Sequence, residues 1–274
     1  MVGLFLFLAQ KVRYLVCSFC VMSELNRNSL NSLKKTAAFR MHLKYPRIYR
    51  IPHPSGYRHR GKRYLGWKEL AELFNGLVYV EEKLDGSQFS IVKENGEILV
   101  YSRGGNIVER PEPPAYDGIW NWVYAHYASL IELPERYVLY GEWLRVKHTV
   151  YYDLLPDWAV IFDVYDSFKG GFLGFEEKLK VIKGLGLVAP PLVKTLSVRC
   201  RSKIDLKRVI KELAECAEGR SAFSSAARSM EGVVVKNYDM GIFAKLINPW
   251  FDREVEEHEL FKGGITYNSL SKKK

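Results

Sequence analysis

Glu81-Glu82-Lys83-Leu84-Asp85-Gly86 sets a primary amine at the end of a run of β-formers, with a carboxylate two residues after it. A lysine amine is a nucleophile only when neutral. Nearby cations, such as a metal ion or other lysines, lower its pKa. If the segment stays extended, Lys83 and Asp85 fall on the same side. Gly86 permits a tight turn or a close backbone approach. By itself Lys-x-Asp-Gly is more at home in a solvated hairpin turn than in a site, because short motifs recur by chance.

The elements that must position this amine are mostly strands. Val78–Lys83 is rich in β-formers. Gln88–Lys93, a turn at Glu94-Asn95-Gly96-Glu97, and Ile98–Ser102 form a predicted hairpin. Apolar residues at helical spacing (Ile119, Trp122, Val123, Ala125, Tyr127, Leu130) predict a helix within 116–133. Tyr137–Leu144, Ala159–Val164, Gly232–Lys236 and Ile242–Ile247 are predicted strands, and Phe175–Gly184 and Lys203–Cys216 predicted helices. Strands outnumber helices, and neighbouring strands pair as hairpins. The fold class is therefore α+β with antiparallel sheets, not a doubly wound parallel sheet.

Further segments follow in order: Tyr101-Ser102-Arg103-Gly104-Gly105, Leu139–Leu144 (LYGEWL), Val160–Asp166 (VIFDVYD), Glu231–Lys236 (EGVVVK) and Phe243–Ile247 (FAKLI). Lys83 to Arg103 is 20 residues, Arg103 to Glu142 is 39, Glu142 to Phe162 is 20, and Glu231 to Lys245 is 14. From Tyr45 to Ile247 this series resembles the covalent nucleotidyltransferase superfamily, which comprises ATP-dependent RNA ligases, ATP-dependent DNA ligases and mRNA capping enzymes. The resemblance implies an ATP-grasp-like nucleotidyltransferase domain of antiparallel sheets flanked by helices, with the nucleotide cleft between the sheets. It also implies roles. Lys83 matches the nucleophile that takes AMP from ATP, and Asp85 joins it in the catalytic set. Glu81 matches the reader of the adenine amino group, and Arg103 the residue that holds ribose and bound strand. Glu142 matches the ligand of the ribose hydroxyls, and Phe162 the ring that stacks on adenine. Glu231 matches the carboxylate that positions Mg²⁺ or Mn²⁺. Lys236 and Lys245 match cations on the triphosphate. Many relatives carry Lys-x-Lys in the last motif, whereas Phe243-Ala244-Lys245 holds one cation.

Within the superfamily, 29 residues follow Lys245, too few for a C-terminal OB domain, which is a five-stranded barrel. That favours an RNA ligase acting on RNA ends, nicked duplexes included. A minimal DNA ligase and a non-catalytic RNA-binding homologue are the alternatives, and a GTP-using capping enzyme is disfavoured. The lead-in KYPRIYRIPHPSG is similar to the start of short RNA ligases. Between Lys44 and Lys68 there are eight Lys/Arg and no Asp/Glu, with tyrosines interleaved. Arg58, Arg60 and Arg63 are candidate nucleic-acid contacts, where cations meet phosphates and aromatics stack on bases. A solvated basic loop packed by its tyrosines is the equal alternative.

The 274 residues carry a net charge of +10, which suits a polyanionic partner. Three segments are expected: an N-terminal extension (1–40), a nucleotidyltransferase domain (41–250), and a short C-terminal helix with a basic tail (251–274) whose last residues, NSLSKKK, fray. The apolar run 1–22 is broken by Lys11 and Arg13, so it is a poor transmembrane span. It also makes a poor signal peptide. An interfacial helix and a start site at Met22 or Met41 are both compatible with it. A cytoplasmic protein without stable membrane association is expected. Cys17 and Cys20 form a lone CxxC without a second pair, so reduced thiols are expected before a zinc site. Oligomeric state leaves no signal.

Overall fold

The computed structural model describes residues 44–272, apart from 228 and 258–263. The N-terminal extension and the Cys17/Cys20 pair lie outside the described residues. Two five-stranded sheets carry the architecture. The first has the order β1-β10-β9-β2-β8, built from β1 (Tyr49–Arg50), β2 (Asn75–Lys83), β8 (Leu192–Arg199), β9 (Gly232–Asn237) and β10 (Ile242–Ile247). The second has the order β4-β3-β5-β6-β7, built from β3 (Ser87–Glu94), β4 (Glu97–Ser102), β5 (Tyr137–Trp143), β6 (Ala159–Asp166) and β7 (Gly171–Phe172). All pairings are antiparallel except the short β1–β10 pair.

The period-2 alternation of the strands explains both faces. In β2, Val78 and Val80 pack with α1 (Trp67–Leu73) and α5 (Lys203–Ala217) in one core, together with Val233, Val235, Ala244 and Leu246. The alternate residues Glu81 and Lys83 therefore face the other way, toward the second sheet. That sheet buries Phe89, Ile91, Leu139, Trp143 and Ile161 against α2 (Ile119–Ala125), α3 (Tyr127–Leu130) and α4 (Phe175–Gly184). A third apolar cluster joins the sheets at their base, with Leu84, Leu144, Tyr152, Val160, Ile247 and Phe251, the last on α6 (Pro249–Glu257).

Two expectations are corrected, and two elements were not foreseen. The single helix within 116–133 is two short helices after a 3₁₀ turn at Pro114–Tyr116: Gly118 starts α2 in the left-handed region and His126 divides α2 from α3. Strand β8 and helix α1 were not expected at all. The C-terminal residues do not fray through 271. Asn268 is buried, its amide donates to the Leu144 carbonyl at 2.6 Å, and its side-chain oxygen accepts from the Tyr152 N–H at 2.9 Å. Ser269 and Ser271 add backbone bonds to Tyr152 and Leu155. Among the described residues no helix is long and apolar enough to cross a membrane.

Candidate active site

Lys83 ends β2 inside a cleft of about 740 Å³ between the sheets. Its Nζ donates to Glu231 Oε2 at 2.9 Å and to the Leu84 carbonyl at 3.2 Å. The β2–β9 register makes the first contact, since Lys83 pairs with Gly232, the residue after Glu231. The chain then turns at Gly86 into β3. A Cβ on Gly86 would lie 2.4 Å from the Trp143 carbonyl oxygen, so only glycine lets this turn rest on β5. The close approach brings Glu142 of β5 to the turn, where its Oε1 accepts the Gly86 N–H at 3.2 Å.

Asp85, expected in the catalytic set, acts as a clamp. Its Oδ2 accepts the N–H groups of Thr149 and Val150 at 2.7 and 2.8 Å, and its own N–H donates to the Tyr152 hydroxyl at 2.9 Å. It fixes the turn after the lysine against the 146–152 segment, and contributes negative charge to the cleft.

The surroundings of Lys83 also differ from the expected positive environment. Burial opposes its charge, but Glu231, Glu142 and Asp85 outweigh burial and raise its pKa. The strain passes to the carboxylates. Burial, helped by Asp85, pushes Glu142 and Glu231 each up to about 7. Lys245 moves the opposite way: burial, then Lys83, brings it down to about 8. Lys245 lies on β10 beside Val234 and opposite Arg50 of β1, and both cations line the cleft. Arg50 is held by a two-pronged pair with Asp252, 2.7 Å through Nη2. Arg103 lies in the turn after β4, exposed, and lines the same cleft.

A raised carboxylate pKa makes the folded state bind protons more tightly than the unfolded chain. Stability from Glu142 is therefore present below about pH 4.5 and lost as pH rises toward 7. Glu142→Gln removes that loss. It is expected to stabilise the nucleotide-free protein at pH 8 by about 1 kcal/mol, or about 2–4 °C in Tm. The gain should shrink at pH 5. A melting curve showing equal gain at both pH values would reject the buried-carboxylate explanation.

The other end of the cleft is a buried charge cluster. Glu81, Asp163, Lys178 and Lys236 are each no more than 2% exposed. Lys178 Nζ, on α4, donates to Glu81 Oε1 at 2.7 Å and to the Phe162 carbonyl at 2.8 Å. Lys236 Nζ approaches Glu81 Oε2 and Asp163 Oδ2, both at 2.8 Å, and donates to the same Phe162 carbonyl at 2.8 Å. The carbonyl is free because Phe162 is the extra residue of a bulge: Tyr140 pairs with Asp163 and Gly141 with Ile161. Bulges re-aim side chains beside active sites, and here the Phe162 ring and Asp163 both turn to the cleft side. Asp163 also accepts the hydroxyls of Tyr45 at 2.6 Å and Tyr238 at 2.8 Å. The Tyr45 ring meets Phe162 edge-on, centroids 5.0 Å apart.

Lys236, expected on a triphosphate, pairs with Tyr79 at the far end of the β2–β9 ladder from Lys83, and its ammonium is held by Glu81, Asp163 and the Phe162 carbonyl. Glu81 is a braced internal carboxylate whose Oε2 has no hydrogen bond of good geometry despite its closeness to Lys236. Of the three loop arginines only Arg63 lines the cleft. Its guanidinium stacks 4.1 Å over Tyr49 and pairs with Glu69 at 3.2 Å, while Arg58 sits 4.8 Å over Tyr64.

The sequence reading missed Lys178, Asp163, Tyr45 and Arg50 as parts of the site. Asp163 lay within the quoted VIFDVYD, unassigned. Lys178 had a usable signal, since it stands with Phe175 and Ile182 on the buried face of α4, where a solvated lysine has no place. Among the described residues no group of three or more His, Cys, Asp or Glu could hold a metal ion by itself.

Two antiparallel sheets around a lysine-bearing cleft are the nucleotidyltransferase domain seen in RNA ligases. Residues 76–250 match the family described as RNA ligase, and the chain belongs to that family. Among solved structures, an archaeal ATP-dependent RNA ligase is similar with 20% identity and a TM-score of 0.51, over 76% of this chain and 49% of that one. A Naegleria gruberi RNA ligase with PPi gives 19% identity and a TM-score of 0.53, over 70% and 55% of the two chains. An E227A mutant of that ligase, with ATP and Mn, gives 19%, a TM-score of 0.50, and 70% and 54%. The chain thus spans about half the length of the solved structures it resembles. No curated protein matches it.

Proposed function

We propose that the protein is an ATP-dependent RNA ligase that carries AMP on Lys83. The observation that carries this reading is the Lys83–Glu231 contact at the centre of the cleft, with Glu142 and Lys245 beside it, in a chain of the RNA ligase family. The Lys83 amine attacks the α-phosphate of ATP. An N–P bond forms, the bond to the β-phosphate oxygen breaks, and pyrophosphate leaves. AMP then passes to a 5′-phosphate, and a 3′-hydroxyl displaces it to seal the strand.

Each residue has a proposed task. Phe162 offers its ring to adenine, and Glu81 Oε2 accepts from the 6-amino group. Glu142 accepts from the ribose hydroxyls, and Arg103 binds the ribose and the incoming strand. Lys245 meets the phosphates, and Arg50, its neighbour across the β1–β10 pair, adds a second cation beside a motif that carries one. Glu231 would hold a divalent cation, Mg²⁺ or Mn²⁺, since such ions are commonly bound by one or two carboxylates together with substrate phosphates. When bound, such a cation neutralises phosphate charge and releases Lys83 from its carboxylate partner. The fit is supported by two buried carboxylates near pKa 7, both of which gain from an added positive charge. ATP and Mn in a similar ligase support the same reading.

The test is sealing of a panel of nicked and single-stranded RNA and DNA ends by the wild-type protein. Sealing of DNA in preference to RNA would replace RNA ligase by DNA ligase, and adenylylation without sealing of any end would leave only the first step. The loop arginines supply a second measurement. Reversing Arg58, Arg60 and Arg63 to glutamate is expected to weaken RNA binding and flatten its salt dependence. Up to three lost phosphate contacts lower the logarithmic slope by about 2 on a single strand. An unchanged slope would remove the loop from the RNA path.

A further inference from the structure

We propose that Lys178, which lies in none of the nucleotide motifs, sets the nucleobase preference of the cleft by holding Glu81 as a carboxylate that can only accept hydrogen bonds. The inference rests on the reading above, in which Glu81 faces the base. Its observations are those of the buried cluster. Two carboxylates, Glu81 and Asp163, are balanced by two ammonium groups, Lys178 and Lys236, with all four side chains out of water. Buried charges of this kind persist only when paired.

The two carboxylates are not equivalent. Asp163 keeps two hydroxyl donors of its own, from Tyr45 and Tyr238, as well as Lys236. Among the described residues Glu81 has only the two lysines, and only Lys178 donates to it in good geometry. Without Lys178, two carboxylates share one ammonium. Like charges cannot both remain ionised in such a site. The proton goes to the poorly supported partner, Glu81. A carboxylate accepts from the 6-amino group of adenine and repels the 6-oxo group of guanine. A carboxylic acid donates, so it welcomes guanine. Lys178 thus acts through Glu81 as a positioning residue. It touches no nucleotide, being fully enclosed between α4, Glu81 and the Phe162 carbonyl.

The experiment measures covalent labelling of the protein with α-labelled ATP and α-labelled GTP, each as kcat/KM, at one fixed pH. Wild type is expected to favour ATP by roughly 100-fold or more, since a site built to hydrogen-bond a substrate group rejects an analogue lacking it. Lys178→Met is expected to lower that ratio at least about tenfold, chiefly by gaining GTP. The double variant Lys178→Met/Asp163→Asn leaves Glu81 alone with Lys236 and should recover the preference. A merely structural lysine would show no such recovery. If Lys178→Met does not melt cooperatively, Lys178→Gln reads the same ratio. A folded Lys178→Met or Lys178→Gln with the wild-type ATP/GTP ratio overturns the inference while leaving the ligase reading intact. Wild type labelled by neither nucleotide overturns the ligase reading and the inference with it.

Discussion

Lys83→Ala is expected to take up no label from α-labelled ATP and to seal no ends from ATP. The loss should exceed about 10³-fold, because the proposed covalent step runs through this amine. The competing candidate is Lys245. Burial and Lys83 bring its pKa to about 8, so at neutral pH it sheds its proton more readily than Lys83. Availability of a neutral amine alone would therefore select Lys245. Position selects Lys83, at the turn beside both Glu142 and Glu231. Removing Lys83 leaves Glu231 without its partner, but a carboxylate already near pKa 7 can take up a proton and stay buried. The variant should therefore fold, and its melting curve provides the control. A folded Lys83→Ala that still became labelled, with the label mapping to Lys245, would move the nucleophile to β10.

The second large effect falls on a residue with no side chain. In Gly232→Ala the new Cβ would lie 2.1 Å from the Leu246 carbonyl oxygen and 2.9 Å from the Ile247 Cα. Both contacts are backbone, so no rotamer relieves them. Strand β10 must move away from β9, and Lys245 moves with it while Glu231 loses its register with Lys83. Overpacking of this kind costs about 3 kcal/mol, or about 6–12 °C in Tm, with labelling lost alongside. Gly171→Ala is the matched control, since among the described residues nothing lies within 4 Å of its Cβ position. Equal melting temperatures for Gly232→Ala and wild type would contradict the close β9–β10 packing.

Much of the fold was legible because its central strands are built from β-branched and aromatic runs. Gly232–Lys236 and Ile242–Ile247 were bounded nearly to the residue. Strand β8 was not, for a physical reason. It lies at the sheet edge, half of it faces solvent, and Lys194, Thr195 and Ser197 dilute its apolar signal. The region 116–133 misled for the opposite reason: its helical spacing is real, but one helix cannot run through the breaks at Gly118 and His126.

The site divides in the same way. The order of motifs made Lys83, Glu142, Glu231 and Lys245 legible. What each carboxylate does in the nucleotide-free protein was not, because that depends on the strand registers. Asp85 spends itself on two backbone N–H groups, and Lys236 on two carboxylates and a carbonyl. The bulge that frees the Phe162 carbonyl exists only in the pairing of β5 with β6, and no local sequence signal announces it.

The two sheets differ in how they are spelled along the chain. Strands β3 to β7 lie together between Ser87 and Phe172 and take their sheet neighbours from that stretch, apart from one bridge from Val160 to Val188. The strand that carries Lys83 is threaded otherwise. On the ribosome β2 leaves the exit tunnel early, yet the residue that pairs with Lys83 is Gly232, synthesised 149 residues later. One sheet can therefore be finished while the other still waits with both edges bare. Lys83 acquires Glu231 and the β9 wall of its cleft only when the late strands arrive, so a half-made chain carries this amine without the surroundings that the proposed chemistry requires.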